Sequence, residues 1–344
     1  MSEKIRIGFV GAGANTTSRH IPGFQAIEGV ELVSVSNRTY ESGQRVADQF
    51  GMPTVYDNWV DLVDADDTDA ICIGTWPYMH CPITLAALDN GKHVLTEARM
   101  AMNATEASAM LEASLLDPDL ITQIVPAPHT LSVDKTIKEL IAEGYLGDIL
   151  SVDLLVQDGF IDFESELHWR NNRDLSGFNM MQMGIWYEAM MRWLGPASGV
   201  TAVTSTNVKS RNNENGDRQI ITIPDHAEII CEMASGPIVH MRFSQVTGLA
   251  PADSVWFFGT EGTLKLDASN MALYGGKRGD QNLSEIQIAP EKKGDWRVEE
   301  EFISAIRGQE QITHTSFEDG LRYMEFTEAV ARSAQLRDMV RLPL

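Results

Sequence analysis

Basic residues are scarce in this chain: 27 Lys and Arg stand against 49 Asp and Glu, a formal net charge of −22 at pH 7. Such an acidic excess repels a phosphodiester backbone and an anionic membrane surface, and it argues against both as partners. It leaves room for a small anionic ligand, because a local nest of backbone N–H groups can override the overall field. Cysteine is rarer still. Cys72, Cys81 and Cys231 are odd in number and lie in apolar or mixed runs, so neither a disulfide framework nor a zinc site is expected. No apolar run is long enough to span a bilayer, and no basic segment followed by an apolar stretch opens the chain. Internal repeats and low-complexity segments are missing too. These absences predict a reduced, soluble, cytoplasmic protein. What remains is an ordinary globular composition, 43% hydrophobic and 22% charged over 344 residues, which suits two domains.

The residues that are present speak most clearly at Lys4-Ile5-Arg6-Ile7-Gly8-Phe9-Val10-Gly11-Ala12-Gly13-Ala14-Asn15-Thr16. A short, apolar, β-prone run leads into glycines at the first and third positions of a Gly-x-Gly-x-x-x turn. Gly11 permits a tight turn out of the strand, and Gly13 lets a pyrophosphate approach the backbone. The helix that follows offers Ala14, Asn15 and Thr16 at its N-terminus, with unpaired N–H groups and the positive end of its dipole. Thr16 stands where Gly or Ala gives the closest packing of helix on strand, so the fingerprint is imperfect. Glycine-rich turns close many strands for steric reasons alone. The position between a strand and a helix is what makes this one a dinucleotide signature.

From there to about residue 126 strand and helix signals alternate. Strands are expected at Ile5–Val10, Glu31–Ser36, Thr54–Tyr56, Ala70–Gly74, His93–Thr96 and Thr122–Pro126. Helices are expected at Ser18–Glu28, Tyr40–Phe50, Trp59–Asp64, Cys81–Asn90 and Ala104–Leu115. This is the pattern of a doubly wound parallel sheet, a Rossmann domain over residues 1–126. Beyond it, over 127–344, helical patterns at Val133–Glu143, Met180–Leu194, Val298–Arg307 and Phe317–Gln335 bracket runs that alternate apolar and polar residues. Those runs predict an α/β domain with a large, mostly antiparallel sheet, one face exposed.

Several stretches together carry a family resemblance. They are the Gly-rich turn with His20-Ile21-Pro22, Thr75-Trp76-Pro77 with His80, and Gly91-Lys92-His93-Val94-Leu95-Thr96-Glu97. Further on come Gly144-Tyr145-Leu146-Gly147, Trp169-Arg170, Gly259-Thr260-Glu261-Gly262-Thr263 and Ser316-Phe317-Glu318-Asp319-Gly320. The chain resembles the Gfo/Idh/MocA family of NAD(P)-dependent oxidoreductases over almost its whole length. The resemblance implies a Rossmann domain followed by an α/β domain whose open sheet supports a homodimer or homotetramer and covers the nicotinamide. It also implies that Thr75, Trp76, Pro77, His80 and Glu97 border the coenzyme. His20, His80 and His93 match positions that the family uses for structure or coenzyme packing.

The departures from the family fall on the chemistry. Where it carries Glu-Lys-Pro after the fifth strand, this chain has Glu97-Ala98-Arg99. Where it carries an Asp and a His around a glycine, this chain has Gln182-Met183-Gly184-Ile185-Trp186-Tyr187-Glu188, with Gln182 and Trp186 at the Asp and His positions. A hydride leaves a carbinol carbon readily only when a group of suitable pKa removes the hydroxyl proton. Ala98 and Trp186 cannot, and Gln182 does not titrate. Candidate replacements are His129, which follows Pro126-Ala127-Pro128 at the expected junction, and Tyr187, His168 and Glu97. Arg99, Trp186, Trp169 and Arg170 are candidates for shaping a substrate pocket. Each has a plainer reading: a satisfied histidine, a core aromatic or a solvated arginine.

The second strand ends at Ser36-Asn37-Arg38, with no acidic residue to hold the ribose hydroxyls. A small Ser36 and a cationic Arg38 suit a 2′-phosphate, which favours NADP(H), with NAD(H) also admissible. The leading expectation is an NADP(H)-dependent oxidoreductase acting on a sugar, keto-sugar or polyol. Reduction is favoured, because a donor such as Tyr187 can polarise a carbonyl. Two rivals stand beside it: a lyase or glycoside-cleaving enzyme that uses transient oxidation, and a non-catalytic NADP-binding sensor.

Overall fold

β1 (Ile5–Val10) is apolar along nearly its whole length and buried on both faces, as a strand covered by helices on each side must be. In the computed structural model, which describes residues 4–344, β1 is central to a parallel sheet. The turn after it feeds α1, residues 14–25, in which Thr16–His20 is π-wound and Ile21–Gln25 regular. This helix starts earlier than the expected Ser18, so the glycine turn opens directly onto its N-terminus. The alternation continues through β2 (Val30–Ser36), α2 (Tyr40–Phe50), β3 (Thr54–Val55), α3 (Trp59–Asp64), β4 (Ala70–Ile73), α4 (His80–Asp89), β5 (His93–Thr96), α5 (Ala104–Leu116) and β6 (Thr122–Ile124). Local chemistry sets the ends of these elements. Thr39 caps α2 by accepting from the Ser42 N–H at 3.3 Å, and Gly51 closes it in the left-handed region at φ 72°.

The strand order is β3-β2-β1-β4-β5-β6 and every pairing is parallel. The order reverses between β1 and β4, and the crevice beyond the carboxyl ends of those strands is where such sheets take ligands. Ile7, Phe9, Ile71, Ile73, Val94 and Leu95 are fully buried here, each contributing roughly 1.5–3 kcal/mol.

The chain divides into two compact units. One holds the residues up to Pro126 together with Arg297–Met324, and the other holds Ala127–Trp296 with Glu325–Leu344. The sequence reading places all of 127–344 in the second domain. The structure returns a segment of it to the first. That segment carries Phe302, which packs edge-on against Phe24 at 6.3 Å, and Phe24 packs on Phe9 of β1 at 6.0 Å. It also covers the sheet edge, because the Ile124 N–H donates to the Thr315 carbonyl (3.0 Å) and the Thr315 N–H returns to Ile124 (3.2 Å).

The second unit has α6 (Leu131–Ala142), β7 (Ile149–Gln157), α7 (Arg173–Ser176), α8 (Met183–Leu194), β8 (Ala197–Ser205), β9 (Ser210–Asn212), β10 (Arg218–Ile220), β11 (His226–Met233), β12 (Ile238–Ser244), β13 (Ser254–Gly259), β14 (Gly262–Asp267), β15 (Ala272–Lys277) and β16 (Ser284–Ile286). Chain order then gives α9 (Val298–Ile306), which lies in the first unit, α10 (Phe317–Leu336), which starts there, and β17 (Val340–Arg341). Nine strands form one sheet in the order β16-β15-β14-β13-β7-β12-β11-β8-β17, antiparallel except for β7 beside β12. Val152, Leu154 and Val156 of β7 point inward as alternate residues, and Trp193 of α8 meets Phe257 of β13 edge-on at 5.6 Å. α8 begins at Met183 rather than the expected Met180, because Met181 sits at φ 43°, outside the helical region. The alternation in β15 is hidden in the sequence by Gly275 and Gly276. At Gly275 a Cβ would stand 2.6 Å from the Tyr145 hydroxyl. Among the described residues no helix is long and apolar enough to cross a membrane, and Cys72, Cys81 and Cys231 are free and buried.

Candidate active site

The turn after β1 is built by contact. Gly11 has φ 83°, and its N–H donates to the Ser36 carbonyl at 2.9 Å, tying the ends of β1 and β2. A Cβ there would meet Thr75 Cγ2 at 2.6 Å and the Thr75 nitrogen at 2.8 Å, so only glycine fits. At Gly13 a Cβ would meet a single atom within 4 Å, the Gly74 oxygen at 3.9 Å. The space before Gly13 is open. The Thr17 N–H donates to the Gly13 carbonyl at 2.9 Å, and the N–H groups of Ala14, Asn15 and Thr16 precede it at the N-terminus of α1.

Thr16 resolves the imperfect fingerprint. It is buried, and its hydroxyl donates to the Gly11 carbonyl at 3.3 Å. The close approach is supplied from the other side by Gly74, where a Cβ would lie 2.1 Å from Thr16 Oγ1 and 2.3 Å from the Gly11 oxygen. The missing glycine has in effect moved to the end of β4. Ser36 is buried, and Asn37 uses its side-chain oxygen to accept from the Ala12 N–H at 2.6 Å, bracing the turn. Arg38 is exposed and makes no hydrogen bond or ion pair among the described residues. Pro77 is buried and Trp76 half-buried in the loop after β4. His80 is fully buried, with Nδ1 2.8 Å from the Arg99 carbonyl and Nε2 3.0 Å from the Thr75 carbonyl. Burial holds its pKa below the ordinary value, against the pull of those carbonyls. His80 is thus a clamp between two loops. Arg99 itself is largely buried.

At the end of β5 Glu97 accepts from the Asn15 side-chain amide and lies 3.1 Å from His20 Nε2. Its other oxygen accepts from the Ala98 N–H at 3.2 Å. Burial works to raise its pKa, but the hydrogen bonds and charge of His20, with Asn15, outweigh it and hold the carboxyl below the ordinary range. His20 is wholly buried, and its Nδ1 lies 2.5 Å from Glu299 of α9. Burial opposes its charge, yet the two carboxylates raise its pKa to about 9. Nothing in the sequence marks Glu299. It opens a run of three glutamates that reads as a solvated helix face, and it lies 279 positions from His20.

The second unit gathers a different set. His129 is half-buried, its ring 4.8 Å from that of Trp186, which is buried with its Nε1–H unpaired among the described residues. The segment that carries His129 is clamped. The Ala127 N–H donates to Glu188 at 3.0 Å, and Arg192 reaches the Ala127 carbonyl (3.3 Å), the Thr130 hydroxyl (2.7 Å), Glu188 (2.8 Å) and Asp134 (2.8 Å). Gln182 is exposed just before the first residue of α8.

Tyr187 is not where a proton donor must be. Its ring is fully buried and stacked on Phe326 at 3.6 Å, and its hydroxyl oxygen accepts from the Ala197 N–H at 2.9 Å. The apolar spacing of α8 turns it inward, so it is a core residue. His168 is exposed, and its Nδ1 accepts from the Arg170 N–H at 3.3 Å, capping a short turn. Burial, with the charge of Arg170, keeps its pKa below the ordinary value. Arg170 lies over the Trp169 ring at 4.3 Å.

Comparison with known proteins decides the family. A family model described as "Oxidoreductase family, NAD-binding Rossmann fold" matches residues 5–114, and the "GFO/IDH/MocA C-terminal domain" matches 135–265. The chain belongs to the Gfo/Idh/MocA oxidoreductases. It is similar to dTDP-3,4-didehydro-2,6-dideoxy-alpha-D-glucose 3-reductase of Streptomyces antibioticus, 27% identical over 271 residues, 77% of this chain and 76% of the relative. Glucose-6-phosphate 3-dehydrogenase of Bacillus subtilis is 26% identical over 280 residues, 78% of this chain and 76% of the relative. Among solved structures, an oxidoreductase domain protein from Kribbella flavida matches with a TM-score of 0.87 at 20% identity, covering 99% of this chain and 100% of that one. Levoglucosan dehydrogenase in complex with NADH and L-sorbose matches at 0.85 and 21% identity, covering 99% of each. At such identities the likeness to these structures is one of fold.

The coenzyme of a Gfo/Idh/MocA oxidoreductase is a nicotinamide dinucleotide, and the first unit fits one. The turn is open only at Gly13, the helix behind it presents its first N–H groups, and Thr75 Oγ1 against Gly11 is buried without a partner among the described residues.

Proposed function

We propose that this Gfo/Idh/MocA protein is an NADP(H)-dependent oxidoreductase that acts on a carbinol or carbonyl carbon of a sugar, keto-sugar or polyol. The observation that carries the reading is the open turn at Gly13 together with the ionised Glu97 bound to Asn15 of the same helix. Relatives named for sugar substrates support the substrate class. The choice of NADP(H) rests on Arg38, an exposed cation that makes no hydrogen bond or ion pair among the described residues, just after β2, where the sequence Ser36-Asn37-Arg38 has no carboxylate for the ribose. Its guanidinium suits a phosphate by charge-assisted hydrogen bonds.

When bound, the coenzyme supplies or accepts a hydride. Gly11, Gly13, Ala14, Asn15, Thr16, Ser36, Asn37 and Arg38 hold its phosphates and ribose, and Thr75, Trp76, Pro77, His80 and Glu97 border the rest. Proton transfer at the substrate oxygen falls to His129, whose clamped segment fixes the imidazole beside Trp186. Histidine serves in either direction, as donor in carbonyl reduction or as acceptor in carbinol oxidation. With Tyr187 in the core, no donor argument favours reduction. Gln182 and Arg99 orient substrate hydroxyls or an anionic group, and the Trp169–Arg170 pair and Trp186 give flat faces for a sugar ring.

The test is to identify the nucleotide carried by undialysed protein, then follow nicotinamide absorbance against a panel of sugars, keto-sugars and polyols. Stoichiometric change with one of them supports the reading. A retained nucleotide that never changes net redox state across the panel sinks it and favours transient-redox cleavage or a sensor.

A further inference from the structure

The buried arrangement of Glu97, His20 and Glu299 has no part in the proton transfer assigned to His129. His20 is wholly enclosed, and both its ring nitrogens face carboxylate oxygens, Nδ1 at 2.5 Å from Glu299 and Nε2 at 3.1 Å from Glu97. A neutral imidazole carries one N–H and can satisfy only one such contact. The imidazolium satisfies both, so the geometry holds a cation between two anions. Room for it is built in. Gly23 of α1 lies so close to Glu299 that a Cβ there would stand 2.8 Å from its Cγ, Cδ and Oε2. A glycine inside a helix costs about 1 kcal/mol against alanine, and here it admits a carboxylate.

The elements packed on the triad bring polar and charged groups of their own. α1 contributes Asn15, whose Nδ2 lies 3.4 Å from His20 Nε2 and donates to Glu97. β5 contributes Glu97 at its end, and α9 contributes Glu299. β4 contributes Cys72, whose thiol is pushed well up by burial and then by the charges of Glu97 and Glu299. α4 contributes His80, whose charge would favour the Glu97 carboxylate but whose own burial disfavours it. α1 also carries the exposed cation Arg19, and the Glu299 carboxylate meets His20 directly.

We propose that Glu299 is a positioning residue for the coenzyme site, keeping His20 protonated and thereby Glu97 fixed as an oriented anion at the end of β5. This rests on the reading of the first unit as the NADP(H) site. Two carboxylates and one imidazolium leave the triad with one net negative charge beside that site. Such a field favours the oxidised nicotinamide ring, which is positively charged, over the neutral reduced ring.

The decisive variant is Glu299→Gln, which keeps the shape and removes the charge. Gly23→Ala is the second, because it displaces the same carboxylate without deleting it and strengthens the helix. Two quantities are measured from pH 6 to 9 on the full chain. One is the His20 ring signal in protein labelled on histidine, assigned with His20→Gln. The other is the ratio of the dissociation constants of NADPH and NADP+. In the wild type the ring stays charged up to about pH 9, and the ratio is flat below it. In Glu299→Gln His20 loses its proton at a lower pH than in the wild type. The ratio then shifts about tenfold in favour of NADP+ as pH rises through that midpoint, because the triad goes from neutral back to a net negative charge. Gly23→Ala moves the same way. Unchanged His20 titration, or ratios that run parallel in wild type and variants, overturns the proposal while NADP(H) binding stands. If the wild type binds neither nucleotide, the NADP(H) reading falls and takes the proposal with it.

Discussion

Single side chains divide the chemistry from the packing. His129 joins a titratable ring to a clamped backbone, so under the proposed role His129→Ala is expected to lower turnover about a hundredfold or more. Coenzyme affinity should hold, since the clamp runs through Ala127 and Thr130 rather than the imidazole. Steady-state kinetics beside a nucleotide titration checks this, and a loss of only a few-fold would demote His129 to packing. Arg38→Asp is expected to move the NADP-to-NAD preference by about 10- to 100-fold, the value of a charge-assisted contact. An unchanged preference would remove Arg38 from the phosphate site. Tyr187→Phe tests the correction from catalyst to core. It leaves the Ala197 N–H without its acceptor, so stability should fall by about 1–3 kcal/mol in urea titration with turnover little changed.

Elements show where sequence reasoning reaches and where it stops. The six parallel strands were legible because each is a short apolar run between turn signals, and β1, β2 and β5 begin and end within a residue of where the pattern places them. The short strands β9, β10, β16 and β17 were not, since two or three residues are too few for a period to register. The coenzyme turn was legible through its glycines, but its third glycine was not. Gly74 is about 60 positions from the turn and matters only through contact with Thr16 and the Gly11 carbonyl. Gly74→Ala should therefore force β4 and α1 apart, since the new Cβ would collide with backbone. Overpacking of this kind costs typically 1–3 kcal/mol or more. The expected result is a lower urea midpoint with loss of nucleotide binding. Retained binding at wild-type stability would show that the approach is slack. The roles of the α8 residues were only half legible, because Trp186 and Tyr187 both lie in an apolar run and spacing alone does not tell a candidate pocket wall from a core.

At the scale of the whole molecule, stability should fall on the alkaline side. His20 has its pKa raised from 6.5 to about 9 in the folded state. Its contribution is complete below about pH 6.5 and is lost as pH rises through about 9, an effect of about 3 kcal/mol at most. The net charge of −22 adds a general repulsion that salt screens, whereas the buried triad is screened far less. Urea titrations at pH 6.5 and 9.5 in high salt should thus keep most of the decline. The double variant His20→Gln/Glu299→Gln should flatten it, and a decline that persists in the double variant would assign it elsewhere.

The return of Arg297–Met324 to the first unit also governs how the protein comes into being. A ribosome delivers the parallel sheet first, yet Gln123 then lacks Glu301 and the His314 carbonyl, His20 lacks Glu299, and the backbone edge at Ile124 is bare. The coenzyme half must wait, incomplete, while nearly the entire second unit is synthesised. A nascent chain halted at residue 126 should therefore be prone to pairing with other strands at that open edge. One halted beyond residue 324 should bind nucleotide.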